Sequence, residues 1–270
     1  MPRPWPECGF PAIVKPSCQS GSVGVSEVEN KEQMDAALKR VEELGDTPVI
    51  QEFVHGKSIS IEVIGNGTSA RSYITTEVVL DRNYDCKQVL CHPGILSEEE
   101  DTRFGLCAKM TAEDMGLNGL MDMEAIDTPN GFRVLEIDAR IPSQTPACIL
   151  AGTGINLLDE LYRACSGKES AAKKQPGASS YEHFHIVGDR MYTTGEKEFS
   201  HVSDPQYCEG LFGSDEMITD YRPGKSEWRC TMITHGKDKD EVFWKRKDAI
   251  KAIMDECQID EYIDLSPEVV

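Results

Sequence analysis

Positive charge is scarce in this sequence. Its 270 residues carry 28 Lys and Arg against 47 Asp and Glu, a formal net charge of −19 and a pI near 4.7. That balance excludes nucleic acid and anionic membrane as general partners, because polyanions need clustered cations. Long apolar runs are missing as well: no stretch approaches the ~18 residues that suggest a membrane-spanning helix. The opening Met1-Pro-Arg-Pro-Trp-Pro-Glu7 has neither the basic start nor the apolar run of a signal peptide. A cytoplasmic protein without a membrane span is therefore expected. The ten cysteines show no Cys-x-x-Cys spacing, and no His pair completes a zinc signature. Scattered in this way, they read as small apolar residues of a reducing compartment rather than a disulfide framework. Also absent are the Gly-Lys-Ser/Thr of a Walker A loop, a full Gly-x-Gly-x-x-Gly, and any internal repeat.

What is present is an interleaving of short strands and helices. Phe10 to Lys15 reads as a buried strand and is followed by the flexible Ser17–Val25. A helix is expected from Lys31 to Leu44, with Met34, Ala37, Leu38, Val41 and Leu44 at helical spacing. Asn30 is its N-cap, Gln33 sits where a capping box wants it, and Gly45 stops it. Pro48–Val54 and Lys57–Gly65 read as strands broken at His55-Gly56. In the second, Ser58, Ser60 and Glu62 share one face and Ile59, Ile61 and Val63 the other. A strand over Arg71–Leu80 precedes a helix that starts in the acidic run Glu98–Asp101 and presents Phe104, Cys107, Ala108, Thr111 and Met115. Strands Leu120–Asp127 and Phe132–Asp138 flank the turn Pro129-Asn-Gly131, and Asn156 caps a helix over Leu157–Cys165. A small, polar segment from Ser166 to Ser180 marks a boundary. Beyond it come a strand (Trp228–Thr234) and a helix (Asp240–Cys257). Such alternation means an α/β or α+β fold, with domains expected at 1–170 and 171–270.

The acidic hairpin is the most informative stretch. If residues 129–131 form a three-residue loop, Glu124 lies opposite Glu136, and a bulge would bring in Asp122. Period two places Glu136, Asp138 and Arg140 on one face. Like charges directly opposite each other weaken a sheet by tenths of a kcal/mol to about 1 kcal/mol. Such a face is either wet or holds cations, and ligands made of oxygen alone favour Mg²⁺ or Mn²⁺. Ser20-Gly-Ser-Val-Gly24 is either a plain turn or a cradle whose N–H groups meet an anion. Lys15, on an apolar strand, either finds an anion or snorkels to water from an edge.

Lys15-Pro16, the Ser/Gly loop, Gln51-Glu-Phe-Val-His-Gly56 and Glu136-Ile-Asp-Ala-Arg140 occur in this order at suitable distances. Together they resemble the ATP-grasp superfamily, whose members join a carboxylate to an amine or thiol through an acyl phosphate. Phe10-Pro-Ala-Ile-Val-Lys-Pro-Ser17, Tyr84-Asp-Cys-Lys87, Glu136–Pro146 and Gly210-Leu-Phe-Gly213 resemble, more narrowly, the ligase type of pyrrolysine biosynthesis, which condenses 3-methyl-D-ornithine with the ε-amine of lysine. The resemblance runs from about Trp5 to Ile253.

It implies an ATP-grasp fold, two α+β subdomains gripping ATP, followed by a small C-terminal domain. It also implies an opening Rossmann-like domain, which this chain lacks. Lys15 would contact the nucleotide phosphates, and Ser20, Gly21, Ser22 and Gly24 would form the lid over them. Gln51, Glu52, Phe53 and Val54 would line the adenine. Glu124, Glu136 and Asp138 match the magnesium ligands, and Arg140 the arginine that steadies the transferred phosphate. Many relatives hold the ribose with a Glu where this chain has Ser58, which leaves Ser58 or Glu62 for that contact. Carboxylating relatives have a catalytic Glu at the position of Gln144, and its loss counts against bicarbonate chemistry. Ser143 and Gln144 are expected near the reacting centre, and Asp81, Tyr84 and Asp85 at the amine. The partners implied are small amino-acid substrates, with a homodimer one permitted assembly. Two alternatives stay open: another amino-acid or dipeptide ligase, and a nucleotide-binding remnant without catalysis.

Overall fold

The computed structural model describes residues 9–19, 21–173 and 176–266. Its first part is a small layer of sheet on helix. Strands β1 (Ala12–Pro16) and β2 (Ser26–Val28) precede helix α1 (Lys31–Glu43) and strand β3 (Pro48–Glu52), and the strands pair antiparallel in the order β2-β1-β3. Alternation along β1 puts Ala12 and Val14 against Val28, Met34, Ala37, Leu38 and Val41. Ile13 and Lys15 are thereby left on the opposite face. Asn30 accepts from Gln33 N at 3.0 Å, as the sequence predicts, while the Gln33 side chain accepts from Glu29 N rather than from the cap itself.

The rest of the chain builds one wide sheet. Its elements are β4 (Lys57–Asn66), β5 (Ala70–Leu80), β6 (Cys86–Cys91), α2 (Glu98–Asp114), β7 (Asn118–Thr128), β8 (Gly131–Asp138), α3 (Thr145–Thr153) and α4 (Leu157–Cys165). There follow β9 (Ala178–Val187), β10 (Arg190–Thr193), α5 (Glu196–Phe199), β11 (Gln206–Glu209), β12 (Glu216–Thr219), β13 (Glu227–Gly236), α6 (Lys239–Cys257) and β14 (Glu261–Asp264). The sheet has eleven strands; its main path is β11-β12-β13-β9-β6-β5-β4-β7-β8, with β10 beside β9 and β14 beside β10. Because β9 pairs with β6, the sheet runs unbroken past the Ser166–Ser180 segment.

Three clusters cover this sheet. Helix α2 packs Phe104, Ala108 and Ala112 on Ile59, Ile61, Val63, Met121 and Met123. Helices α3 and α4 lie on the other face, over Ile64, Leu120, Val89 and Tyr181. Helix α6 covers Phe184, Ile186, Trp228 and Met232. Fully burying one such side chain stabilises by about 1.5–3 kcal/mol. The buried face of α2 is rotated from the expected one. Gly105 and Ala112 turn inward, whereas Cys107 and Met115 are exposed. The physical reason is close approach to β5: a Cβ on Gly105 would stand 3.0 Å from Ser72 Oγ. Ser97 and Glu100 form a reciprocal capping box ahead of α2, so its acidic start serves as a cap as well as a wet surface.

The break between β3 and β4 has a steric cause. A Cβ on Gly56 would lie 2.2 Å from Asp127 O and 2.5 Å from Ile126 Cγ2, so only glycine lets this link pass over the end of β7. Gly56→Ala should cost about 1–3 kcal/mol of stability, as overpacking does, read from chemical denaturation. An unchanged midpoint would show that the link yields freely.

Candidate active site

The β7–β8 hairpin delivers the carboxylates, and it does so through a bulge. Near the turn, Thr128 pairs with Gly131 and Ile126 with Arg133, around a two-residue loop. The register then shifts, and beyond the shift Glu124 pairs with Glu136 and Asp122 with Asp138. The expected Glu124–Glu136 pairing is therefore present, reached by a tighter turn plus one extra residue in β8 rather than by a three-residue loop. The same shift lets Phe132 and Ile137, five positions apart, both pack on the α2 cluster. It leaves Glu136 and Asp138 on the opposite face.

Strand β4 extends this face. Glu62 pairs with Asp122 and Ser60 with Glu124, giving one row of Glu62, Asp122 and Asp138 and a second of Ser60, Glu124 and Glu136. Side chains in such rows stand ~5 Å apart at Cβ. Burial deepens toward β4: Glu136 is exposed, Glu124 and Asp138 are partly buried, and Asp122 and Glu62 are buried. Burial pushes Glu62 up to about 8, opposed by the nearby Thr145 hydroxyl and reinforced by the Asp122 charge. Glu124 is likewise raised to about 8 by burial and then by Glu136, and Asp122 to about 6 by burial and then by Asp138. Arg140 offsets part of this, with Nη2 2.6 Å from Asp138 Oδ2.

Both Glu62 oxygens and Asp122 Oδ1 are buried without a hydrogen bond of good geometry. Orphaned carboxylate oxygens in a row of carboxylates fit a cation. Among the described residues no group of three acidic, His or Cys donors forms a ready-made metal cage. Mg²⁺ in general keeps several waters and usually binds through one or two carboxylates plus substrate phosphates. Glu62, one of the two ribose candidates, stands within this carboxylate row. Ser58 lies nearer the hinge and pairs with Ile126.

The residues expected to form a lid lie in the small subdomain, between β1 and β2. Ser20 lies outside the described residues. Gly21 and Gly24 have positive φ, as does Ser22 at 56°. Ser22 Oγ donates to Tyr84 O at 2.5 Å, and the Tyr84 hydroxyl donates to Glu27 on β2. The glycine loop is thus fastened to the turn after β5. Lys15 is partly buried, with no ion pair among the described residues, and shares its face with Val49, its partner on β3. Gln51 and Glu52 end β3, and Phe53 and Val54 continue into the hinge.

The other expected residues are engaged in the architecture around the site. Asp81 Oδ1 accepts from Asn83 N and Asp85 N, closing the turn that carries Tyr84. Asp85 Oδ2 accepts from Lys197 N and so ties that turn to α5. Gln144 is buried at the start of α3, its Oε1 accepting from Cys86 Sγ at 2.9 Å, while Ser143 is exposed. Sequence reasoning treated Asp122 only as a consequence of a bulge and passed over Thr145 and Cys86. The period-two spacing of Asp122 with Glu124 was the available signal for the first. Nothing in the sequence marks the other two, which arrive from α3 and β6.

Residues 5–141 match the model of the D-ala D-ala ligase C-terminus family, an ATP-grasp family. The chain belongs to that family. ATP-grasp relatives extend the likeness further. The 3-methyl-D-ornithine–L-lysine ligase of Methanosarcina acetivorans is 31% identical over 94% of this chain and 67% of its own length. The ligase of the same name from Methanosarcina barkeri is 34% identical over 87% and 61% respectively. For the Methanosarcina mazei ligase the chain spans 52% of the relative's length. Among solved structures, the biotin carboxylase–β,γ-ATP complex of Campylobacter jejuni superposes with a TM-score of 0.69 at 18% identity, covering 91% of this chain and 58% of that one. Carboxyaminoimidazole ribonucleotide synthase of Aspergillus clavatus, complexed with ATP, gives 0.65 at 13% identity, covering 93% and 64%. These likenesses show the ATP-grasp fold, as expected from the sequence.

The raised carboxylates make stability depend on pH. Glu62 titrates near 4.5 when unfolded and near 8 when folded, so between those values the folded state holds a proton that the unfolded state releases. Stability then falls as pH rises through that window, by up to about 1.4 kcal/mol per pH unit for one fully shifted group. The melting temperature should drop between pH 6 and pH 8, and Glu62→Gln should flatten the drop. Excess Mg²⁺ should restore more stability at pH 8 than at pH 6, since it binds the ionised form. A flat profile in the unsubstituted protein would refute the buried-carboxylate reading.

Proposed function

We propose that the protein is an ADP-forming ligase that joins the carboxylate of a 3-methyl-D-ornithine-type amino acid to the ε-amine of L-lysine. The observation that carries this reading is the carboxylate ladder, with Glu124, Glu136 and Asp138 on one face and Arg140 at its exposed end. The likeness to the Methanosarcina ligases, in order and over most of the chain, supports the choice of substrates.

Each residue has a physical task in this scheme. Lys15 and the N–H groups of the glycine loop hold the nucleotide phosphates, a cation and oriented donors meeting an anion. The Gln51–Val54 hinge lines the adenine, with Ser58 or Glu62 toward the ribose. Glu124, Glu136 and Asp138 hold Mg²⁺ or Mn²⁺; the ion, when bound, neutralises charge that develops on the transferred phosphoryl group. Arg140 steadies that group as it passes to the substrate carboxylate. The neutral lysine ε-amine then attacks the carbonyl carbon of the acyl phosphate, phosphate leaves with the C–O bond electrons, and the new amide nitrogen loses a proton. Positioning and charge neutralisation supply most of the catalysis. Gln144 in place of a carboxylate base suits amine capture better than bicarbonate activation.

A second reading has its own support. D-alanine–D-alanine ligases match shorter stretches, such as 29% identity over 103 residues in Cupriavidus pinatubonensis, so another amino-acid pair is the rival. A panel of amino-acid pairs scored by ADP release separates the two, and Mg-ATP binding without ADP from any pair would favour a nucleotide-binding remnant. Glu136→Ala should lower Mg-ATP turnover by about a hundredfold or more while leaving the melting temperature within a few degrees. Full activity in that variant would remove Glu136 from the metal site.

A further inference from the structure

A cavity of about 530 Å³ opens beside the glycine loop, between the turn after β5 and the β9–β10–α5 region. That volume lies in the range of small-molecule sites. Arg82 and Lys197 both line it, and neither side chain has an ion pair or hydrogen bond among the described residues. In a chain with 28 basic and 47 acidic residues, two unpaired cations on the wall of one cavity can serve an anionic group. Thr194, also on its wall, has a buried Oγ1 without a partner.

The same wall carries acids. Asp81 Oδ1 accepts from two backbone N–H groups, which leaves Oδ2 available, and Asp85 Oδ2 accepts from Lys197 N. Glu198 is already paired with Arg229 at 2.6 Å, with a His185 ring nitrogen 3.2 Å away. Free cations beside free carboxylate oxygens would repel part of a phosphate but match a zwitterion. The residue after Asp85, Cys86, donates to Gln144 at the start of α3 at 2.9 Å, which ties this wall to the helix over the carboxylate face.

We infer that this cavity holds the head group of an α-amino-acid substrate, with Arg82 and Lys197 on its carboxylate, Asp81 and Asp85 on its ammonium, and Thr194 as a further hydrogen-bonding group. The inference rests on the ligase reading above and names one of its substrate subsites. Ser22 and Gly21 form the wall on the side of the glycine loop. Arg82 and Lys197 are exposed, and replacing them leaves the buried core untouched.

The test is calorimetric titration of L-lysine and of D-ornithine into the full chain with Mg-ADP present, for the unsubstituted protein and the double variant Arg82→Ala/Lys197→Ala. Mg-ADP is titrated separately. At least one amino acid should bind about tenfold or more weakly to the double variant, with Mg-ADP affinity unchanged, and Arg82→Lys should recover part of the loss. Unaltered amino-acid affinity in the double variant, or no amino-acid binding by the unsubstituted protein, overturns the site. Inorganic phosphate binding that is lost in the double variant while amino-acid binding persists would make the cavity a phosphate site and also overturns it. Failure of the ligase reading looks different: amino acid and Mg-ADP bind as described, yet no amide forms from any pair. Conversely, amide formation with unchanged KM for both amino acids in the double variant sinks the cavity assignment alone.

Discussion

Mutual repulsion among aligned carboxylates is the constraint around which this structure is arranged. Glu62, Asp122, Glu124, Glu136 and Asp138 occupy one face of three adjacent strands, a placement that costs stability at every ionised pair. Arg140 relieves one member, and burial keeps the deepest members protonated until the pH rises. Everything nearby can be read as support for that cost. Helix α2 anchors the reverse face with Phe104, Ala108 and Ala112, and α3 and α4 close the lower end of the carboxylate face. An apolar core on both sides fixes the register, since a one-residue slip would drive acids into the α2 cluster. The face is thus a stressed surface relieved by positive counter-charge, which Arg140 supplies at one end and a cation could supply elsewhere.

The second organising element is the turn at residues 81–85. It joins three parts of the molecule through one side chain each. Tyr84 reaches Glu27 of the small subdomain, Asp85 reaches the start of α5, and Asp81 closes the turn itself. The glycine loop, the sheet and the region after β9 are therefore joined at a single loop that also borders the cavity. Loops positioned by a rigid scaffold commonly carry function; here the scaffold is an eleven-stranded sheet.

Much of this was legible in the sequence, for local reasons. The period-two spacing of Glu136 and Asp138, the facing set Ser58, Ser60 and Glu62, and the cap at Asn30 all follow from rules within a few residues. The pairing of Glu124 with Glu136 was also foreseeable; a bulge was expected only as an alternative to that pair, whereas the two occur together because turn length and bulge compensate each other in register. What stayed hidden depends on distant contacts. Strands β6 and β9 meet although about ninety positions separate them. Gln144 meets Cys86 across 58 positions, and the two unpaired cations of the cavity come from the turn after β5 and from α5. Gly105 faces inward only because β5 approaches α2. None of these relations has a periodic signature.

The bulge in β8 has a consequence for how the hairpin can vary. It lies between the Pro129-Asn130 turn and the acidic rows, and a bulge absorbs an odd residue by bending one strand. The far end of the hairpin is thereby insulated from the end that carries the acids. Deleting Leu135, the extra residue, would leave a regular ladder with Glu136 still opposite Glu124, whereas deleting Ile137 would carry Asp138 opposite Met123 and onto the α2 face. Descendants of this chain are free to vary their count at the bulge and constrained to keep it among the acids.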